Sequence, residues 1–172
     1  AISPDRGRKL AEAAKAPGLQ CAGVFRDAQV SEVIRVAGDA GLDAVQLHGA
    51  ERDQEIAELR MQLPQCVEIW AACAVNGSAP PMRHGADRSL FDHGAGGTGE
   101  AFDWSLVAGR DDLPSAFLAG GIGPANARAA AAVGAYGLDV GSRVECAPGF
   151  KDPAKVAELF AALRPQSRSR RC

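Results

Sequence analysis

An aspartate closes a short apolar run, Ser89-Leu90-Phe91-Asp92, and a glycine-rich stretch follows at once, leading to Phe102-Asp103-Trp104. A carboxyl group at a strand end, beside residues small enough to leave room for a ligand, can act as a proton donor. Two later stretches suit different chemistry. Ala119-Gly120-Gly121-Ile122 ends one apolar run just before Pro124, and Gly141-Ser142-Arg143 ends the next. Glycines let backbone N–H groups come close to an anion, so the pair predicts a phosphate cradle. Val45-Gln46-Leu47-His48 sets Gln46 and His48 on one side of a strand by its period of two. Asp139 stands in a similar run, Gly137-Leu138-Asp139-Val140. Buried parallel strands are mostly apolar, so polar residues in them need partners. Each candidate also has a plainer reading. Asp92 suits a turn or a helix cap, His48 a satisfied core position, and the glycines ordinary turns.

The elements that must position these residues alternate. Strands are predicted at 20–25, 43–47, 67–72, 89–92, 115–119 and 137–140. Ser3-Pro4-Asp5 predicts a helix start, with Ser3 as N-cap, and Pro17-Gly18 its end. Further helices are predicted at 30–40, 51–63, 103–109, 124–133 and 152–163, with a weak segment at 78–85 read as a loop with a short helix. Strict β/α alternation with short connections demands parallel strands and right-handed crossovers. The fold class expected is α/β, a (β/α)8 TIM barrel with about six of its eight strands, since a closed barrel typically takes ~200 to 250 residues. Residues 1–163 form the expected partial barrel domain, and the basic 164–172 stretch a flexible tail. In such barrels the loops after the last two strands commonly share one phosphate, which is the order seen here.

Composition narrows the function. The chain has 172 residues, 47% hydrophobic and 23% charged, which suits a globular domain. A net charge of −2 argues against nucleic-acid binding. No apolar run approaches the ~18 residues of a membrane span, and no signal-peptide pattern opens the chain. The five cysteines, Cys21, Cys66, Cys73, Cys146 and Cys172, include no CxxC pair, so neither a zinc site nor a disulfide framework is expected, and a cytoplasmic location fits. Cys21, Cys66 and Cys73 are expected as small core residues. His84 and His93 form no metal spacing with His48. Walker A, dinucleotide-binding and GxSxG patterns are absent.

Taken together, GVFRDA, AVQLHGAE, LFDHGAGGTGEAFDWSLVAG, LAGGIGPANA, GLDVGSRVE and PGFKD resemble the phosphoribosylanthranilate isomerase family of tryptophan biosynthesis, collinearly from about Ile2 to Leu163. The wording is closest to the isomerase half of bifunctional proteins fused to indole-glycerol-phosphate synthase. The resemblance implies a (β/α)8 barrel that carries out an Amadori rearrangement of N-(5-phosphoribosyl)anthranilate without metal or organic cofactor. It implies Asp92 as general acid. It implies Gly120, Gly121, Gly141 and Ser142 as the phosphate site, and Gln46, His48 and Asp139 as substrate-pocket residues. The family's general base, a cysteine in a KICG-type motif at the end of the first strand, has no counterpart in these residues; the chain opens where the family's second β/α loop ends. An arginine just before the SPxxA segment is likewise absent. The family's IWKA reads Ile69-Trp70-Ala71-Ala72, and its serine-serine-glycine reads Gly141-Ser142-Arg143. The expected partners are a phosphorylated small molecule, the fused or paired synthase, and a second copy at an open sheet edge. The competing expectations are a non-catalytic phosphate-binding or scaffolding relative, and an aldolase or epimerase of ribulose phosphate type. The last would want a Schiff-base lysine or a metal-binding set at strand ends, and neither is found.

Overall fold

A computed structural model describes residues 2–78, 80–93 and 101–164. In chain order the elements are α1 (Pro4–Lys15), β1 (Ala22–Phe25), α2 (Val30–Ala40), β2 (Ala44–Leu47), α3 (Asp53–Gln62), β3 (Glu68–Val75), β4 (Arg88–His93), β5 (Phe117–Leu118), α4 (Ala127–Ala132), β6 (Gly137–Leu138), β7 (Glu145–Ala147), β8 (Phe150–Lys151) and α5 (Pro153–Leu163). The sheet order β1-β2-β3-β4-β5-β6 follows the chain, while β7 and β8 form a separate antiparallel pair. The pairs β1–β2, β2–β3 and β5–β6 are parallel. Two compact units divide the chain, one of Ala1–Cys73 and Pro81–Leu90, the other of Ala74–Pro80 and Phe91–Cys172.

In the first unit, α1 starts as its residues dictate. The Ser3 hydroxyl accepts from the Arg6 N–H at 3.4 Å, with proline in the first turn. α2 stops at Gly41, whose φ of 61° lets its N–H reach back to the carbonyls of the last turn. The core joins Val33 and Ala37 of α2, Val45 and Leu47 of β2, Ile56 and Leu59 of α3, and Ile69 and Ala71 of β3. Burying each of the larger side chains contributes roughly 1.5–3 kcal/mol against the entropy of ordering them. Aspartates tie the strand starts together. Asp43 accepts from the Cys21 N–H at 2.8 Å, and Asp87 from the Ile69 N–H at 2.7 Å.

In the second unit, Ala127 of α4, Val144 and Leu159 of α5 form a small core, with Val140, Val156, Ala162 and Leu163 packed on it. Asp152 caps α5, accepting from the Ala154 N–H at 2.9 Å.

Several expectations change. The 103–109 helix is a single 3-10 turn, Trp104–Leu106, with Asp103 as its cap. The helix expected from Pro124 begins at Ala127, because residues 124–126 form a turn. Among the described residues of 78–85 there is no helix. The β7–β8 hairpin was not expected: its strands are too short to show a two-residue period. Cys73 is buried, but Cys66 is exposed and Cys21 half-buried, so only the first meets the core expectation. The 165–172 tail and residues 94–100 of the glycine-rich tract lie outside the described residues.

Candidate active site

Asp92 lies in β4 and is buried at 8% exposure, between the fully buried Phe91 and the half-buried His93. Its Oδ1 accepts from the His93 N–H at 2.7 Å. The guanidinium of Arg110 sits over the Phe91 ring, 5.3 Å from its centre, and is itself paired with Asp112. One bond then relates this strand to the next: the Ala119 N–H donates to the Phe91 carbonyl at 2.8 Å. Asp92 and Gly120, each the following residue, therefore stand at neighbouring strand ends. The Asp139 N–H donates to the Leu118 carbonyl at 2.8 Å, which adds the end of β6 to the row.

The loop after β5 has the conformation that its glycines allow. Gly120 and Gly121 take φ values of 84° and 60°, where a side chain would be strained. Asn126 pins the loop from below. Its Oδ1 accepts from the Gly123 N–H at 2.8 Å, and its Nδ2 donates to the Gly121 carbonyl at 3.0 Å. The loop after β6 lies against it, since a Cβ placed on Gly123 would sit 2.6 Å from the Cβ of Arg143. Among the described residues, the N–H groups of Gly120, Gly121 and Ser142 have no hydrogen-bond partner. Successive unpaired amides on a glycine turn form a concavity suited to an anion. The structure thus sets Asp92, Gly120, Gly121, Gly141 and Ser142 at or just beyond the ends of three successive strands, β4, β5 and β6.

Asp139 corrects an expectation. It is exposed and stands just beyond β6, not inside a buried strand. The reason is that β6 is last in the sheet order, with one strand neighbour, and spans two residues.

Gln46 and His48 belong to the other unit. Period two does pair them: Gln46 Nε2 lies 3.0 Å from His48 Nδ1. Around them is a framework that sequence reasoning missed. Glu51, 7% exposed, accepts from the N–H groups of Asp27 and Gly49, both at 2.8 Å. Asp27, at φ 53°, accepts in turn from the Ala50 N–H at 2.7 Å. Arg83 closes the arrangement with bonds to Asp53 and to the Glu51 carbonyl. The loops after β1 and β2 are thereby locked together, and a Cβ on Gly49 would collide with Asp27 Oδ1 at 2.4 Å. The available signal was Glu51 itself, a carboxylate three residues beyond His48.

Parallel β/α units with glycine-rich turns at the carboxyl ends of adjacent strands define the class: a parallel α/β protein of the kind that sets its ligand chemistry on one rim. The chain belongs to the N-(5'-phosphoribosyl)anthranilate (PRA) isomerase family, whose model matches residues 4–162. It is 48% identical over 147 residues to the tryptophan biosynthesis protein TrpCF of Yersinia pestis, which covers 85% of this chain and 31% of that protein. The chain therefore spans about a third of the length of the curated relatives it matches. The phosphoribosyl anthranilate isomerase of Thermus thermophilus superposes with a TM-score of 0.81 at 35% identity, covering 94% of this chain and 80% of the other. A phosphoribosyl anthranilate isomerase in complex with reduced 1-(o-carboxyphenylamino)-1-deoxyribulose 5-phosphate superposes with a TM-score of 0.70 at 26% identity, covering 92% of this chain and 77% of the other.

Proposed function

We propose that this chain provides the isomerase chemistry of tryptophan biosynthesis, acting on N-(5-phosphoribosyl)anthranilate within a (β/α)8 barrel to which its six strands belong. The observation that carries the reading is the row of neighbouring strand ends, with the buried Asp92 in β4 and open amides at Gly120, Gly121 and Ser142 just beyond β5 and β6. Family membership supports the same activity.

In this reading the amides and the Ser142 hydroxyl hold the substrate phosphate, and that binding energy orients the distant sugar. Asp92 gives its proton to the furanose ring oxygen. The C1–O bond breaks as the anilino nitrogen lone pair forms C1=N. A base then removes the C2 proton, and the electron pair returns to nitrogen through an enolamine, which tautomerises to the ketose. No net oxidation occurs, so the step needs no redox partner. Gln46 and His48 serve as polar substrate-binding residues. Asp139, exposed at the end of β6, serves at the rim of the pocket.

The base is not drawn from the described cysteines. Cys73 Sγ faces the Ala71 and Pro81 carbonyls, Cys21 and Cys66 precede their strands, and Cys146 lies on the β7–β8 hairpin. A KICG-type segment is its natural source, and the TrpCF relatives are long enough to include more than this domain. The partners proposed are accordingly the phosphorylated substrate and a fused or paired indole-glycerol-phosphate synthase. β1, at the sheet edge with Val24 64% exposed, favours pairing with a further strand or a second copy. Turnover, followed as loss of the substrate's anthranilate fluorescence, tests the reading. Residues 1–172 alone should turn over little, and the same chain led by a KICG-bearing β-α-β segment should be active. An inactive extended chain that is folded would contradict it.

A further inference from the structure

The Pro148-Gly149-Phe150-Lys151-Asp152 stretch follows the proposed phosphate loop in the chain, and the residues from Lys151 onward hold that loop from behind. Lys151 Nζ donates to the Gly141 carbonyl at 2.9 Å and to Glu145 Oε1 at 2.8 Å. The Asp152 N–H donates to the Val144 carbonyl at 2.8 Å, and Lys155 Nζ to the Glu145 carbonyl at 2.7 Å. Three carbonyls of the 141–145 run thus face the 151–155 segment. In a planar trans peptide the C=O and the next N–H point in opposite directions. Anchoring the Gly141 carbonyl therefore aims the Ser142 N–H away from Lys151, and this is one of the amides without a hydrogen-bond partner among the described residues. Gly141 itself holds φ −109° and ψ −98°, outside the common wells, so the loop needs an external tether to keep one orientation.

We propose that Lys151 is a positioning residue of the anion site: its ammonium, held by Glu145, fixes the Gly141–Ser142 peptide so that the Ser142 N–H stays turned toward the bound phosphate. The inference rests on the reading of this loop as the phosphate cradle. Lys151 acts through the peptide plane and makes no contact with the anion.

The test is a titration of inorganic phosphate into the 15N-labelled 172-residue chain, followed through the amide signals of Gly120, Gly121 and Ser142. These signals should shift in the wild type. Lys151→Met should weaken the apparent affinity by at least about fivefold, the net scale of one lost hydrogen bond, while Lys151→Arg restores most of it. The ratio of variant to wild-type affinity should stay constant between 50 and 300 mM NaCl (about a twofold change in screening length), because a peptide's orientation is not screened. If Lys151→Met fails to fold, Lys151→Gln replaces it in the same salt series. A wild type that shows no amide shifts overturns the cradle reading and this inference with it. A wild type that binds while the Lys151 variants bind equally well overturns the inference alone. So does a loss that disappears at high salt, which would mark a long-range charge.

Discussion

Ala119 donates its backbone N–H to the carbonyl of Phe91 at 2.8 Å, and that bond sets Asp92 level with the last residues before the glycine turn that starts at Gly120. The proposed acid and the proposed cradle are thus one residue beyond a shared rung. Their spacing is a property of the sheet, which is stiffer than the loops that follow it. What the loops add is a set of tethers, and these can be removed one at a time.

Gly123 is where the two cradle loops touch. An alanine there would place its Cβ 2.6 Å from the Arg143 Cβ, an atom with no freedom to swing away. Gly123→Ala should cost about 1–3 kcal/mol in denaturant unfolding, as overpacking does, and should weaken phosphate binding. An unchanged midpoint would show that the loops stand farther apart.

Asn126 offers a sharper test, because aspartate has the same shape but cannot donate. Asn126→Asp keeps an acceptor for the Gly123 N–H and sets an oxygen against the Gly121 carbonyl. The expected loss is about 1–3 kcal/mol of stability, together with weaker phosphate binding. Asn126→Asp binding phosphate as tightly as the wild type would show that this tether does not shape the cradle.

Acid sensitivity has a local source in the first unit. Arg88 donates to both carboxyl oxygens of Glu68, and Trp70 Nε1 donates to one of them at 2.6 Å. The Arg88 hydrogen bonds hold the Glu68 carboxyl below its ordinary 4.5, with Trp70 assisting and partial burial opposing. A depressed carboxyl stabilises the fold above its unfolded value, and that stabilisation is lost as pH falls through the folded value. Glu68→Gln should therefore be less stable than wild type at pH 7, by about 1 kcal/mol or less given the solvent screening of a part-exposed pair. The gap should close as the pH falls below about 4.5. Parallel stability curves from pH 7 to the acid limb would refute the assignment.

The sequence made the framework legible where local rules govern. α2 was predicted at its observed bounds, because helical spacing and a terminal glycine mark them. Gln46 and His48 were paired by strand period alone, and they meet. What stayed hidden was long-range. The bond from Lys151 to Gly141 spans ten residues and a hairpin, and that from Asp27 to Glu51 spans a whole helix. Side chains that grip backbone groups leave no periodic trace. Asp139 misled because an apolar run reads the same in a central strand as at an edge, while burial depends on the neighbour that an edge lacks.

The most direct measurement is the turnover of N-(5-phosphoribosyl)anthranilate by the chain led by a KICG-bearing segment, with Asp92 and with Asp92→Asn. In the Asp92→Asn protein kcat should fall by roughly 10²–10⁴-fold, the usual worth of a general acid, while KM stays within about threefold because the phosphate cradle is untouched. An Asp92→Asn protein that keeps most of its kcat would contradict the assignment of that carboxyl as the proton donor.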